Sequence, residues 1–140
     1  MAAARSLLSA TVLGRMARAP SVTMARQFHA TSRRQVVHHI KSQAEFAEAL
    51  KESTVIVDFF ATWCGPCKAI SPFLTKMSDE AQNQGIKFLK LDVDELPELT
   101  AELGVRAMPT FMVFQNGKKV DEMMGAHIPG LQNMVEKHRP

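Results

Sequence analysis

The heptapeptide TVIVDFF, residues 54–60, constrains the fold more tightly than any other stretch of the chain. In an extended conformation Val55, Val57 and Phe59 point to one face, and Ile56, Asp58 and Phe60 to the other. Both faces are apolar except at Asp58. A strand with one wet face would alternate apolar with polar residues; this one must be covered on both sides. It is expected to be a central strand with helices above and below.

The remaining segments supply those layers. VVHHI (36–40) is a short strand candidate. In SQAEFAEALKES, Ser42 and Glu45 are spaced as a capping box, and Phe46, Ala49 and Leu50 share one helical face. A helix from about Gly65 to Gln82 presents Ile70, Phe73, Leu74, Met77 and Ala81 as a stripe, and QNQG ends it. IKFLKLDVD (86–94) reads as a strand and LPELTAELG as a short helix. TFMVF (110–114) and KKVDEMM (118–124) flank Asn116-Gly117, a strong hairpin signal. Ile128, Leu131, Met134 and Val135 form the stripe of a last helix. The order βαβαβα, then a hairpin and a helix, implies a three-layer α/β domain with a mixed central sheet.

Charge divides the chain in two. Residues 1–35 hold six arginines, no lysine and no acidic residue, whereas residues 36–140 hold 11 Lys+Arg against 14 Asp+Glu, a net −3. The overall +3 therefore belongs to the leader, which removes the main argument for nucleic-acid binding by the domain. An Arg-rich, acid-free leader with seven Ser and Thr has the composition of a mitochondrial transit peptide. A secretory signal built on LLSATVLG competes with it, but arginines continue to position 34; a plain basic tail is the third reading. RQFHATSRRQ is similar to a two-step matrix processing pattern, with Arg26, Phe28 and Thr31 at its marked places. The expected organisation is a cleaved leader without fixed structure over 1–35 and one domain over 36–140, located in the mitochondrial matrix. An apolar content of 46% suffices for one core, and no apolar run approaches the roughly 18 residues of a membrane span.

The two cysteines lie in FFATWCGPCKAI, where the central strand has ended and a helix begins. The unpaired N–H groups and dipole of that helix start favour a thiolate at Cys64, making it the nucleophile. Cys67, one turn on, is expected to lie inward beneath it as the resolving thiol. Pro66 falls in the first turn, where a missing N–H costs nothing. Two other readings compete: half of a zinc site, or inert buried thiols. Zinc requires further ligands, and His38, His39, His127 and His138 show no ligand spacing. Asp58, six residues before Cys64, is either a solvated strand-edge carboxylate or a desolvated acid/base that takes the Cys67 proton through water.

WCGPCK, preceded by VDFFAT and followed by RAMPTFMVFQNG and Gly125-Ala126, resembles the thioredoxin family, here of mitochondrial type. The motifs occur in order and at matching separations across 36–140. The resemblance implies the thioredoxin fold, a three-layer αβα sandwich around a mixed five-stranded sheet. It implies Cys64 as attacking cysteine, Cys67 as resolving cysteine, Asp58 as the buried carboxylate and Lys90 as the lysine beside it. Sequence alone favours a trans bond before Pro109; the resemblance implies cis, with Pro109 against the dithiol and Met108 offering backbone hydrogen bonds to substrate. Trp63, Gly65, Pro66, Met108, Pro109, Gly125 and Ala126 would form an apolar docking surface. On residue type alone Trp63 could equally be core and Gly125 a strand end. The resemblance also implies a kink at Pro72.

Gly65-Pro66 between the cysteines is similar to the reducing members of the family, implying a net reductant of protein disulfides. The chain has no G-x-G-x-x-G and no Walker motif, so it has no evident means of taking hydride from a nicotinamide. The family implies electrons delivered from NADPH by a flavin-containing thioredoxin reductase, with peroxiredoxins and other oxidised proteins as recipients. No bound cofactor or metal is expected beyond the Cys64-Cys67 disulfide, and the domain is expected to be a monomer. His127 carries no reading at this level.

Overall fold

The computed structural model describes residues 37–81 and 85–140. The transit peptide and processing pattern expected over 1–35, Val36, and the helix end expected at 82–84 lie outside the described residues. The chain runs β1 (His38–Ile40), α1 (Gln43–Ala49), β2 (Thr54–Phe60), α2 (Gly65–Ala81), β3 (Ile86–Asp92), α3 (Pro97–Glu102), β4 (Thr110–Gln115), β5 (Lys118–Met124) and α4 (Ile128–Lys137). The five strands form one sheet in the order β1-β3-β2-β4-β5. β2 pairs parallel with β3 and antiparallel with β4, so the sheet is mixed and TVIVDFF occupies its centre.

The strand pleat sorts the core into two clusters. Val55, Val57 and Phe59 pack with Leu89, Leu91, Met112 and Phe114 under Phe46 and Ala49 of α1 and Leu99 of α3. Ile56, Phe88, Phe111 and Val113 face Ile70, Leu74 and Met77 of α2 and Leu131, Met134 and Val135 of α4. Four apolar side chains of β2 have no exposed surface. Each contributes roughly 1.5–3 kcal/mol by leaving water, which makes this strand the anchor of both layers.

Several local expectations are refined. Ser42 Oγ accepts the Glu45 N–H at 3.2 Å, as in a capping box, but Glu45 returns its Oε2 to the N–H of Lys41 at 2.7 Å, one residue earlier than the box pattern. Phe73 does not belong to the buried stripe of α2: it is 42% exposed, while Ile70, Leu74, Met77 and Ser78 are buried. Successive residues turn by about 100°, which places Phe73 on the flank of the arc that those four define. α2 continues through Pro72. β3 ends at Asp92, because Asp92 Oδ1 accepts the Asp94 N–H at 2.9 Å and turns the chain. Asn116 and Gly117 both have positive φ, 51° and 79°, the type I′ geometry that matches strand twist.

One tie across the fold is invisible in the local pattern. Asp121 Oδ2 on β5 lies 2.8 Å from both Lys137 Nζ and His138 Nε2, joining the edge strand to the end of α4. The lysine and then the histidine hold the Asp121 carboxyl down at about 2. A depressed carboxylate stabilises the fold above its unfolded value and loses that contribution as pH falls towards the folded one. D121N is expected to lower the melting temperature by a few degrees at neutral pH. The gap from wild type should close between about pH 4 and pH 2; thermal melts across that range check it, and a pH-independent gap would refute the assignment.

Candidate active site

β2 delivers the chain to the start of α2 through a loop of four residues, 61–64. The Cys64 N–H donates to Ala61 O at 3.2 Å, and Cys64 O accepts the Lys68 N–H at 3.3 Å, the first bond of the helix. Cys64 thus stands in the capping position, and its Sγ accepts the Cys67 N–H at 3.2 Å. A serine or aspartate oxygen would serve there in an ordinary helix. A sulfur so placed becomes a better anion, since a backbone N–H and the positive helix end both face it. Cys64 and Cys67 form a disulfide, with Cα atoms 5.3 Å apart. In this oxidised form exposure does not separate the two sulfurs, with 5% for Cys64 and 4% for Cys67. Surface area therefore does not distinguish an outward Cys64 from an inward Cys67.

Asp58 is 4% exposed, which removes the strand-edge reading. Burial pushes its carboxyl up to about 7, and the amine of Lys90, its register partner on β3, offsets only part of that rise. Among the described residues its Oδ1 has no hydrogen-bond partner. It lines a pocket of about 390 Å³ together with Cys67, Lys68, Ser71, Pro72 and Lys90. Liquid water occupies ~30 Å³ per molecule, so the pocket has room for a proton relay between Asp58 and Cys67. Lys90 also lies 5.8 Å from the centroid of the Phe60 ring.

The expected docking residues converge on the same end of the sheet. Thr110 pairs with Phe59 on one side and Met124 on the other, which brings the turn before β4 to the end of β2. The Met108–Pro109 bond is cis. Gly125, at φ +91°, donates its N–H to Pro109 O at 2.8 Å, so Gly125-Ala126 lies beside the proline. Gly65, Pro66 and Ala126 are exposed, Met108 and Gly125 half-buried, and Pro109 buried with its carbonyl engaged. Trp63 is 67% exposed, not core.

Three contributors escaped the sequence reading. Asp94 Oδ2 accepts the Trp63 indole N–H at 3.0 Å across 31 residues, a contact with no local signature. Met124, 63% exposed, adds apolar surface; its place at a strand end next to Gly125 was the available signal. His127 is the N-cap of α4, its Nδ1 accepting the Gly130 N–H at 3.0 Å. The other described histidines are engaged singly: His38 with Glu45, His39 with Glu95 and His138 with Asp121. Among the described residues no three potential ligands group as a metal site would require.

Comparison with known proteins gives the same picture. The sequence model of the family described as Thioredoxin matches residues 36–137. The chain is 46% identical to Thioredoxin-2 of Pyricularia oryzae over 121 residues, covering 86% of this chain and 70% of that one. It is similar to mitochondrial thioredoxin 3 of Saccharomyces cerevisiae in its oxidised form, with a TM-score of 0.68, 34% identity, and coverage of 72% and 94%. It is also similar to a chain from a structure of the thiol resolving mechanism in yeast mitochondrial 1-Cys peroxiredoxin via glutathione/thioredoxin systems, with a TM-score of 0.68, 33% identity, and coverage of 72% and 94%.

A carboxyl raised from 3.8 to about 7 opposes folding once it ionises. Stability is therefore expected to fall as pH rises from about 4 through 7, by an amount on the order of 4 kcal/mol for roughly three pH units. D58N should be more stable than wild type at about pH 8 and equal to it near pH 4. Denaturant titrations at the two pH values check this; equal stability at both would show that Asp58 is not desolvated.

Proposed function

This chain belongs to the thioredoxin family, and on that premise we propose that Cys64 attacks and Cys67 resolves client disulfides in the mitochondrial matrix. The protein is a protein-disulfide reductase whose redox group is its own Cys64–Cys67 disulfide, with no bound cofactor. The observation that carries the assignment of roles is the capping geometry of Cys64, whose sulfur receives the Cys67 N–H at the start of α2.

The reduced protein presents Cys64 as a thiolate. It attacks one sulfur of the client disulfide, forms a mixed disulfide and expels the other sulfur as thiolate. Cys67 then gives its proton through water to Asp58 and attacks the Cys64 sulfur. The Cys64–Cys67 bond forms as the mixed disulfide breaks, and the second client sulfur leaves as a thiolate. The two client thiolates take up the proton held at Asp58 and one from solvent, and two electrons have passed to the client. Asp58 suits this task because a carboxyl near 7 exchanges protons readily at working pH. Trp63, Gly65, Pro66, Met108, Pro109, Gly125 and Ala126 form the docking surface, on which an extended client segment lies beside the cis-proline turn.

Thioredoxin reductase returns the electrons from NADPH, because the chain has no nucleotide-binding motif of its own. Peroxiredoxins are among the recipients; the likeness to a chain from the yeast mitochondrial peroxiredoxin structure supports this. Residues 1–35 act as a cleaved transit peptide and residues 36–140 as the mature domain. The composition of the leader and the likeness to mitochondrial thioredoxin 3 support that reading.

Insulin-disulfide reduction with reductase and NADPH tests the roles. C64S is expected to lose activity by at least about a thousandfold, as loss of a nucleophile does elsewhere, while C67S should accumulate mixed disulfides with clients. Full activity in C64S would sink the mechanism. N-terminal sequencing of the protein recovered from mitochondria should give a start near Val36, and a retained Met1 would overturn the import assignment.

A further inference from the structure

The segment that carries Gly125-Ala126 is held at its far end by an unusual cap. His127 has extended backbone angles, φ −106° and ψ 96°, and its Nδ1 accepts the N–H of Gly130, the third residue of α4. Only a neutral imidazole with its proton on Nε2 can accept there. Gly130 is the second part of the device. Glycine is disfavoured inside a helix, yet a Cβ at this position would lie 2.7 Å from His127 Nδ1 and 2.7 Å from Met123 Sδ. The glycine thus makes room for the ring to reach the backbone. The other end of the segment is tied by the Gly125 N–H to Pro109 O.

We infer that His127 is a positioning residue for client docking: its cap on the first turn of α4 fixes the Gly125–Ala126 edge of the docking surface. The inference rests on the docking surface described under Proposed function.

The test is the KM for a soluble disulfide-bonded peptide. H127L is expected to raise KM roughly threefold to tenfold, in proportion to a lost cap, with much less change in kcat. G130A, whose Cβ would displace the ring, should also raise KM. H127N, whose side-chain oxygen can cap in the same place, should keep KM near that of the wild type. A wild-type KM in H127L, or a KM in H127N as high as in H127L, would overturn the inference. W63A separates it from its premise: a raised KM in W63A with a wild-type KM in H127L refutes His127 and leaves the docking surface standing. An unchanged KM in W63A removes both.

Discussion

The burial of β2 on both faces is the constraint from which the site follows. Its neighbours are set by register, with Asp58 opposite Lys90 on β3 and opposite Phe111 on β4. One step further along, Phe59 faces Thr110, so the cis Met108–Pro109 turn arrives where β2 ends and the cysteine loop begins. A strand covered on both sides can expose function only at its tip. The chemistry therefore gathers at that tip, where a helix start supplies N–H groups that no other part of the sheet could offer.

Two aspartates show how placement divides one residue type between tasks. Asp58, enclosed by apolar neighbours with a lysine in register, is pushed up to about 7. Asp121, gripped by Lys137 and His138 at the sheet edge, is held at about 2. The first titrates near neutrality, where the proposed mechanism would use a proton acceptor. The second stays ionised through the working range and serves as a clamp. Their surroundings, and not their intrinsic acidity, assign the roles.

Much of this was legible in the sequence because it is written in short-range pattern. TVIVDFF and KKVDEMM have the strand limits expected from their alternation and turn flanks, and Asn116-Gly117 takes the predicted hairpin turn. Of the site, the cysteine pair at a helix start followed from order alone, while the roles around it came from the family resemblance. What escaped depends on contacts between distant residues or on side-chain geometry. The indole of Trp63 finds Asp94 31 positions away, and His138 finds Asp121 across 17. Phe73 escapes the core because the apolar stripe of α2 is wider than the arc that meets the sheet. His127 was opaque because a histidine cap depends on a glycine three residues later leaving space for the ring.

The disulfide closes a loop of sequence separation 3. Chain-entropy reasoning assigns so small a ring only about 2 kcal/mol of constraint on the unfolded chain, against about 4.7 for a loop of a hundred residues. Around it, the two core clusters are made mostly of side chains that take no part in the bond; of their members only Cys64 and Cys67 do. Oxidation and reduction can therefore alternate without the fold being rebuilt at each turn. The molecule behaves as a rechargeable cell whose casing is nearly indifferent to its charge, and this lets one domain pass through many cycles of electron delivery.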